Sequence, residues 1–217
     1  LGASDPEASG TIDIGATETA LHLLFFSAMQ GFRMIYPDIR IRVHNHSTPE
    51  ILKRFASGEL DFAAVTSPFE APKACRCENM HDFFDILVGG TQYRHLCSRR
   101  NSLKELLTFP WVGLGRGTVT YDLYRDFFAA HGAELELDME AATSDLLLPL
   151  IRHNFGIGFV PERLARPLIS KKILIQIPLD CKTPLRSIKL LSENRHGKSR
   201  AADTFHRYLK CSERCGP

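Results

Sequence analysis

Apolar residues at Leu21, Leu24, Phe25, Ala28, Phe32 and Ile35 recur at helical spacing, which predicts a long helix with one buried stripe. A short strand, Thr11–Ile14, and a sharp turn over 15–18 precede it. The helix should end at Tyr36–Pro37, because proline cannot continue it and biases the residue before it out of the helical region. Ile39, Ile41 and Val43 then alternate with Arg40, Arg42 and His44, the pattern of a half-exposed edge strand. Ser47 with Glu50 three residues on fits a capping box, and Thr48 ahead of Pro49 is an equally good helix start. That helix runs through Ile51, Leu52 and Phe55 to Gly58, and Leu60–Val65 follows as a buried strand. The first 68 residues therefore read β-α-β-α-β, which implies a parallel sheet with right-handed crossovers.

The stretch 69–80 reads as a loop carrying Cys75 and Cys77, and Phe83–Val88 as a strand closed by Gly89 and Gly90, a candidate crossing between domains. Beyond it, the expected elements are a short helix capped by Ser102 (Leu103–Leu107), a strand (Trp111–Leu114), a glycine-rich turn and a helix (Val119–Ala130). They are followed by a strand (Leu135–Ala141), a helix from Thr143–Ser144 through Arg152, and a tight buried strand over 156–161. Arg186–Leu191 is a further strand, and Ser199–Lys210 a last amphipathic helix on Ala202, Phe205 and Leu209.

An apolar content of 44% suits a globular core, and a net charge of +2 gives no basic surface with which this chain alone would grip nucleic acid. No apolar run reaches the ~18 residues of a membrane span, and the first nine residues lack the pattern of a signal peptide. Six cysteines in a chain of this length point to free thiols in a reducing cytosol, so a cytoplasmic protein is expected.

Five segments appear in a telling order. They are TIDIGAT, MIYPDIRI, SGELDFAAV, PWVGLGRGTVTYDLYRDFFAAHG and ATSDLLLPLIRHNFGIGFVP, of which Ser57–Asp61 and Gly156–Pro161 are the most specific pieces. Together they resemble the effector-binding domain of LysR-type transcriptional regulators over about residues 10–210. The resemblance implies an α/β fold of the type 2 periplasmic-binding-protein kind, with two Rossmann-like lobes joined by two crossing strands and a small-molecule cleft between them. Lobe I would be residues 10–86 plus 186–210 and lobe II 87–185, with 1–9 a linker stub and 211–217 a tail. It also implies a DNA-binding winged helix-turn-helix that lies outside this chain, and assembly as a homodimer or tetramer. The chain departs from the family at 91–96, at Asn154–Phe155, which would set an aromatic near the cleft floor, and at Pro149, which should kink its helix.

By this resemblance the turns at Thr17, Glu18 and Thr19, at His46, Ser47 and Thr48, and at Thr66 and Ser67 should face those at Arg116, Gly117 and Thr118 and at Thr143 and Ser144. Hydroxyls and free helix N–H groups suit a carboxylate, phosphate or similar anion. Plain helix capping needs the same residues with no ligand. Arg116, between two glycines, could clamp a carboxylate or stand as a solvated turn residue. Glu18 would either face solvent at the helix start, where the dipole favours it, or pair a basic group of a zwitterionic effector. His44 with His46, and Cys75 and Cys77 with His81, are incomplete metal sets, and no metal or cofactor is expected. No cysteine falls in 118–132, which disfavours a peroxide switch of the kind one branch of the family uses. No nucleophile elbow, metalloprotease helix or dinucleotide fingerprint appears, and Asp61, Asp82, Asp85 and Asp145 are unpaired in sequence, so no enzyme activity is expected. The expectation is a ligand-sensing domain whose effector shifts lobe closure and oligomer geometry. The alternative on the same fold is a solute-binding receptor of a transport system.

Overall fold

The structure, a computed structural model, describes residues 9–73, 75–193 and 199–214, so most of the linker stub and Cys215 lie outside the described residues. The chain divides into two compact units, Leu1–His81 with Ser187–Pro217, and Asp82–Arg186.

In the first unit, β1 (Gly10–Ala16) pairs in parallel with β2 (Ile39–Asn45) and β3 (Phe62–Thr66), and β3 pairs antiparallel with β9 (Leu185–Glu193). Among the described residues β2 pairs with β1 alone, which explains its exposed arginines. Alternation sends the two faces of the sheet to different helices. The face of Gly15, Ala63 and Val65 meets α3 (Thr48–Ala56) through Ile51 and Phe55. Gly10 and Phe62 meet α8 (Arg200–Arg214) through Ala201 and Phe205. Phe205 also packs edge-on against Phe32, 4.9 Å between ring centres.

The helix after β1 differs from the predicted stripe. It runs as α1 (Glu18–Ala20), a π-helical segment (Leu21–Phe25) and α2 (Phe26–Ile35). The wider π turn rotates the following face, so Leu23 is buried while Leu24 and Ala28 are half-buried and Ile35 is exposed. Two other expectations in this unit fail for local reasons. Ser47 holds the cap position of α3, but its side chain makes no capping bond and Glu50 pairs with Arg54 instead, so the capping box does not form. The segment expected as a loop becomes the start of β4 (Cys75–Gly90), a 16-residue strand that includes Cys75 and Cys77. Gly58 does end α3, in the left-handed region at φ 80°.

The second unit is built on the end of β4, which pairs antiparallel with β7 (Ile157–Pro161) and β8 (Leu174–Gln176). A separate parallel pair joins β5 (Val112–Leu114) to β6 (Met139–Ala141). The predicted strand over 135–141 is therefore confined to its last three residues. Gly89 and Gly90 lie inside β4, where a side chain would meet Tyr93 and Asn154. The predicted helix α5 (Val119–Ala130) buries Tyr124, Phe127 and Phe128 around Trp111 and Phe159. α4 (Leu103–Leu106) carries a complete capping box between Ser102 and Glu105. Pro149 falls in the first turn of α6 (Leu147–Arg152), after a 3-10 turn, where its missing N–H removes no bond, so it need not kink the helix. Phe155 is 51% exposed, an outward position for the expected aromatic of the cleft floor. The 3-10 helix Thr91–Ser98 and α7 (Glu162–Ser170) complete the unit. Among the described residues no helix is long and apolar enough to cross a membrane.

All five residues of β7 are buried, and its one glycine, Gly158, allows a close approach of backbones. A Cβ on Gly158 would lie 2.5 Å from the Val112 carbonyl oxygen, a backbone atom that cannot swing away. Gly158→Ala should lower the unfolding free energy by about 1–3 kcal/mol in urea denaturation, an overpacking cost. Gly117→Ala should cost less from crowding, since nothing lies within 4 Å of its Cβ position.

Candidate functional site

Strand register brings the first group of candidate residues to one end of one sheet. Ala16 stands opposite both Asn45 and Ala64, so β1 and β2 finish level with one another and β3 runs two residues further, to Thr66. The Asn45 side-chain amide donates to the Ala16 carbonyl at 2.9 Å, and the Thr17 N–H donates to the Ala64 carbonyl at 3.1 Å. The residues that follow these strands, 17–19, 46–48 and 66–67, leave from the same C-terminal edge, where open α/β sheets place ligands.

Some of these side chains are already used. Thr17 caps α1, its hydroxyl accepting the Ala20 N–H at 3.4 Å. Ser67 is tied to β9: its hydroxyl accepts the Ser187 N–H at 2.8 Å and its own N–H donates to the Ser187 carbonyl at 2.9 Å. Ser47 is exposed and His46 half-buried. Thr19, Thr48 and Thr66 are buried. Among the described residues, the hydroxyls of Thr19 and Thr48 have no hydrogen-bond partner, yet neither is sealed from solvent. Glu18 corrects the expectation most directly. It does not point into open solvent but is 9% exposed, and its carboxylate forms no hydrogen bond or ion pair among the described residues.

The second unit repeats the arrangement with β5 and β6. Leu114 stands opposite Ala141, so the turns at 115–118 and 142–144 leave from the same edge. The Gly115 N–H closes the end, donating to the Ala141 carbonyl at 3.1 Å. Thr118 caps α5 by accepting the Tyr121 N–H at 3.1 Å, and donates back to the Gly115 carbonyl at 3.0 Å. Gly117 adopts φ 88°, which lets the turn reverse this tightly. Arg116 is exposed, with no ion pair or hydrogen bond among the described residues. Thr143 and Ser144 are half-buried, and Thr143 makes no capping bond. A partly open pocket lined by Trp111, Leu114, Thr120, Tyr124 and Phe159 has a volume of about 30 Å³, too small for an effector.

The sequence did not pair Asp85 with anything, and the structure gives it three partners. Asp85 is 1% exposed, and its Oδ2 accepts the Tyr124 hydroxyl at 2.6 Å and the Arg186 guanidinium at 2.9 Å. Arg186 also donates to the Thr120 hydroxyl at 2.9 Å and lies 5.2 Å from the centre of the Phe83 ring. Thr183 donates to the Asp85 carbonyl at 2.7 Å. This network ties both chain ends of the unit to the first turn of α5, two residues past the Thr118 cap. The sequence signal available was weak: a lone aspartate inside the apolar run Phe83–Val88.

Metal and thiol chemistry find no support. His44 Nε2 lies 2.8 Å from Asp13 Oδ1, and no group of three or more His, Cys, Asp or Glu among the described residues could hold a metal. The described cysteines are free, and burial raises the pKa of Cys75, Cys77, Cys97 and Cys181, which lowers their reactivity.

The model of the LysR substrate binding domain matches residues 6–213. The HTH-type transcriptional regulator YeiE of Escherichia coli is 20% identical over 204 residues, covering 94% of this chain and 68% of that protein. The probable RuBisCO transcriptional regulator of Cyanidium caldarium is 21% identical, covering 90% of this chain and 63% of that protein. Similar solved structures include the effector-binding domain of QuiR in complex with shikimate, at TM-score 0.79 and 15% identity over 96% of this chain and 99% of that one. The regulatory domain of CcmR from Synechocystis PCC6803 in complex with 2-PG matches at TM-score 0.79 and 16% identity, over 94% and 98% of the two chains.

Removing one partner of a buried ion pair strands the other. Arg186→Met should cost about 3–5 kcal/mol of stability, and Tyr124→Phe about 1–2 kcal/mol, in urea denaturation. Burial, and then the Asp85 carboxylate, push the Tyr124 hydroxyl well above its ordinary pKa. A raised folded pKa gives stability that is complete below the unfolded value of about 10 and is lost as pH climbs from there toward the folded value. Wild type should therefore lose stability above about pH 10 more steeply than Tyr124→Phe, as followed by thermal melts across that range.

Proposed function

Because this chain belongs to the LysR substrate-binding domain family, we propose that it senses a small anionic effector on behalf of a cytoplasmic regulator that binds DNA through a winged helix-turn-helix outside these residues. The relatives described above are transcriptional regulators, which favours this reading over a transport receptor.

The observation that carries the reading is the pairing of unused polar groups with level strand ends. Thr19 and Thr48 in the first unit keep free hydroxyls, and Arg116 in the second keeps a free guanidinium beside the Thr118 turn. Capping accounts for Thr17 and Thr118, but it does not use Thr19, Thr48 or Arg116. A guanidinium held between glycines at such a turn suits bidentate capture of a carboxylate or phosphate. The effector would engage these turns and, by binding one conformation of the protein better than another, shift the equilibrium between them. The complexes of QuiR with shikimate and CcmR with 2-PG support a small-molecule effector. Assembly as a homodimer is supported by apolar residues left outward on α2 and β2: Phe26 at 49%, Met34 at 81%, Ile35 at 48% and Val43 at 42% exposure.

Titration calorimetry with a panel of small carboxylates and phosphates tests the site. At least one member should bind, and Arg116→Ala should weaken it about tenfold or more, the scale of a charge-assisted contact. Binding unchanged in Arg116→Ala would remove the anion clamp. In sedimentation the chain should run as a dimer, and Met34→Glu with Val43→Glu should shift it to monomer. A wild-type chain that sediments only as monomer would contradict the assembly.

A further inference from the structure

The geometry points to a protonated primary amine on the effector, recognised by Glu18; this rests on the reading of the chain as an effector-binding domain and narrows the ligand class. Glu18 is nine-tenths buried at the end of β1, and no arginine, lysine or histidine among the described residues pairs with it. A buried carboxylate is normally paired or hydrogen-bonded, because an uncompensated charge away from water is costly. Two features separate Glu18 from a sealed, strained carboxylate. Its oxygens are absent from the fully enclosed polar atoms that lack partners, which are Asp85 Oδ1 and the Ser192 hydroxyl. The carboxylate oxygens therefore keep some contact with solvent although the residue as a whole is covered. The hydroxyls of Thr19 and Thr48 share this state, buried residues with open and unpartnered oxygens.

Strand register sets these groups on one edge. Thr19 follows Glu18 directly after β1, and Thr48 follows β2, whose Asn45 stands opposite Ala16. A carboxylate accepts the N–H bonds of an ammonium group and supplies its counter-charge. An anion alone would meet repulsion from Glu18 at this turn. The turn at Arg116 carries a guanidinium with no ion pair or hydrogen bond among the described residues, while the Glu140 carboxylate lies against the neighbouring Gly115. An effector that carries an amine gives Glu18 a partner, whereas an acid alone leaves it without one.

Titrations of the 15N-labelled chain with methylammonium chloride and with sodium acetate, each against potassium chloride at matched ionic strength, test this by amide chemical shifts. Methylammonium should give saturable shifts at the amides of residues 17–20 and 48, and Glu18→Gln should weaken that binding about tenfold or more. Acetate should act at 116–118 and be unaffected by Glu18→Gln. Methylammonium shifts that are equal in the variant, or absent in the wild type, would overturn the amine proposal whether or not the variant folds well. Absence of any acetate effect would instead count against the anion site at Arg116 and leave the amine result standing on its own.

Discussion

Asp85 and Arg186 are about a hundred residues apart in sequence, and each is almost completely buried. Two charges taken from water at this depth are tolerated only if they meet each other and their remaining hydrogen-bonding positions are filled. Tyr124 and Thr120 fill two of them, so the pair fixes where α5 begins as well as where β4 enters and β9 leaves the second unit. The first unit has a neutral counterpart in the two hydrogen bonds between Ser67 and Ser187. The two strands that carry the chain between units, β4 and β9, are neighbours in the sheet and are anchored by polar contacts on either side of the division. The candidate turns inherit this order. Thr118 caps a helix whose next turn is held by Arg186, and Ser67 is held by the strand that follows Arg186.

Much of this architecture was legible in the sequence. The alternation in 39–43, the stop at Gly58 and the extent of α5 follow from local periodicity and capping chemistry, which tertiary packing did not override. The failures have physical causes that a linear pattern does not contain. A π turn after Ala20 rotates the buried face of α2, so the apolar stripe cannot be extended at 3.6 residues per turn. The polar start of β4 looked like a loop because its strand is mostly exposed there and carries few apolar positions. α7 escaped notice because Pro167 interrupts it, although Glu162 and Arg166 pair one turn apart within it.

The site was half legible for a related reason. Strand ends and caps can be located from sequence, so the turns themselves were identifiable. Whether a threonine caps a helix or remains free, and whether Glu18 is covered, depends on neighbours that arrive from distant strands. The same limit concealed the Asp85 network, whose partners lie 39 and 101 residues away. Family membership does not identify an effector; under the proposed reading, selectivity comes from side chains such as Arg116 and Glu18, which make no hydrogen bond or ion pair among the described residues.

A crystal structure of the 217-residue chain grown with the tightest-binding small acid tests the central claim most directly. The account predicts ligand density at the candidate turns, either those at the C-terminal edge of β1–β3 or that at Arg116–Thr118, where a carboxylate or phosphate would sit on the Arg116 guanidinium. Density for the bound acid at any other surface, with those turns untouched, would contradict it.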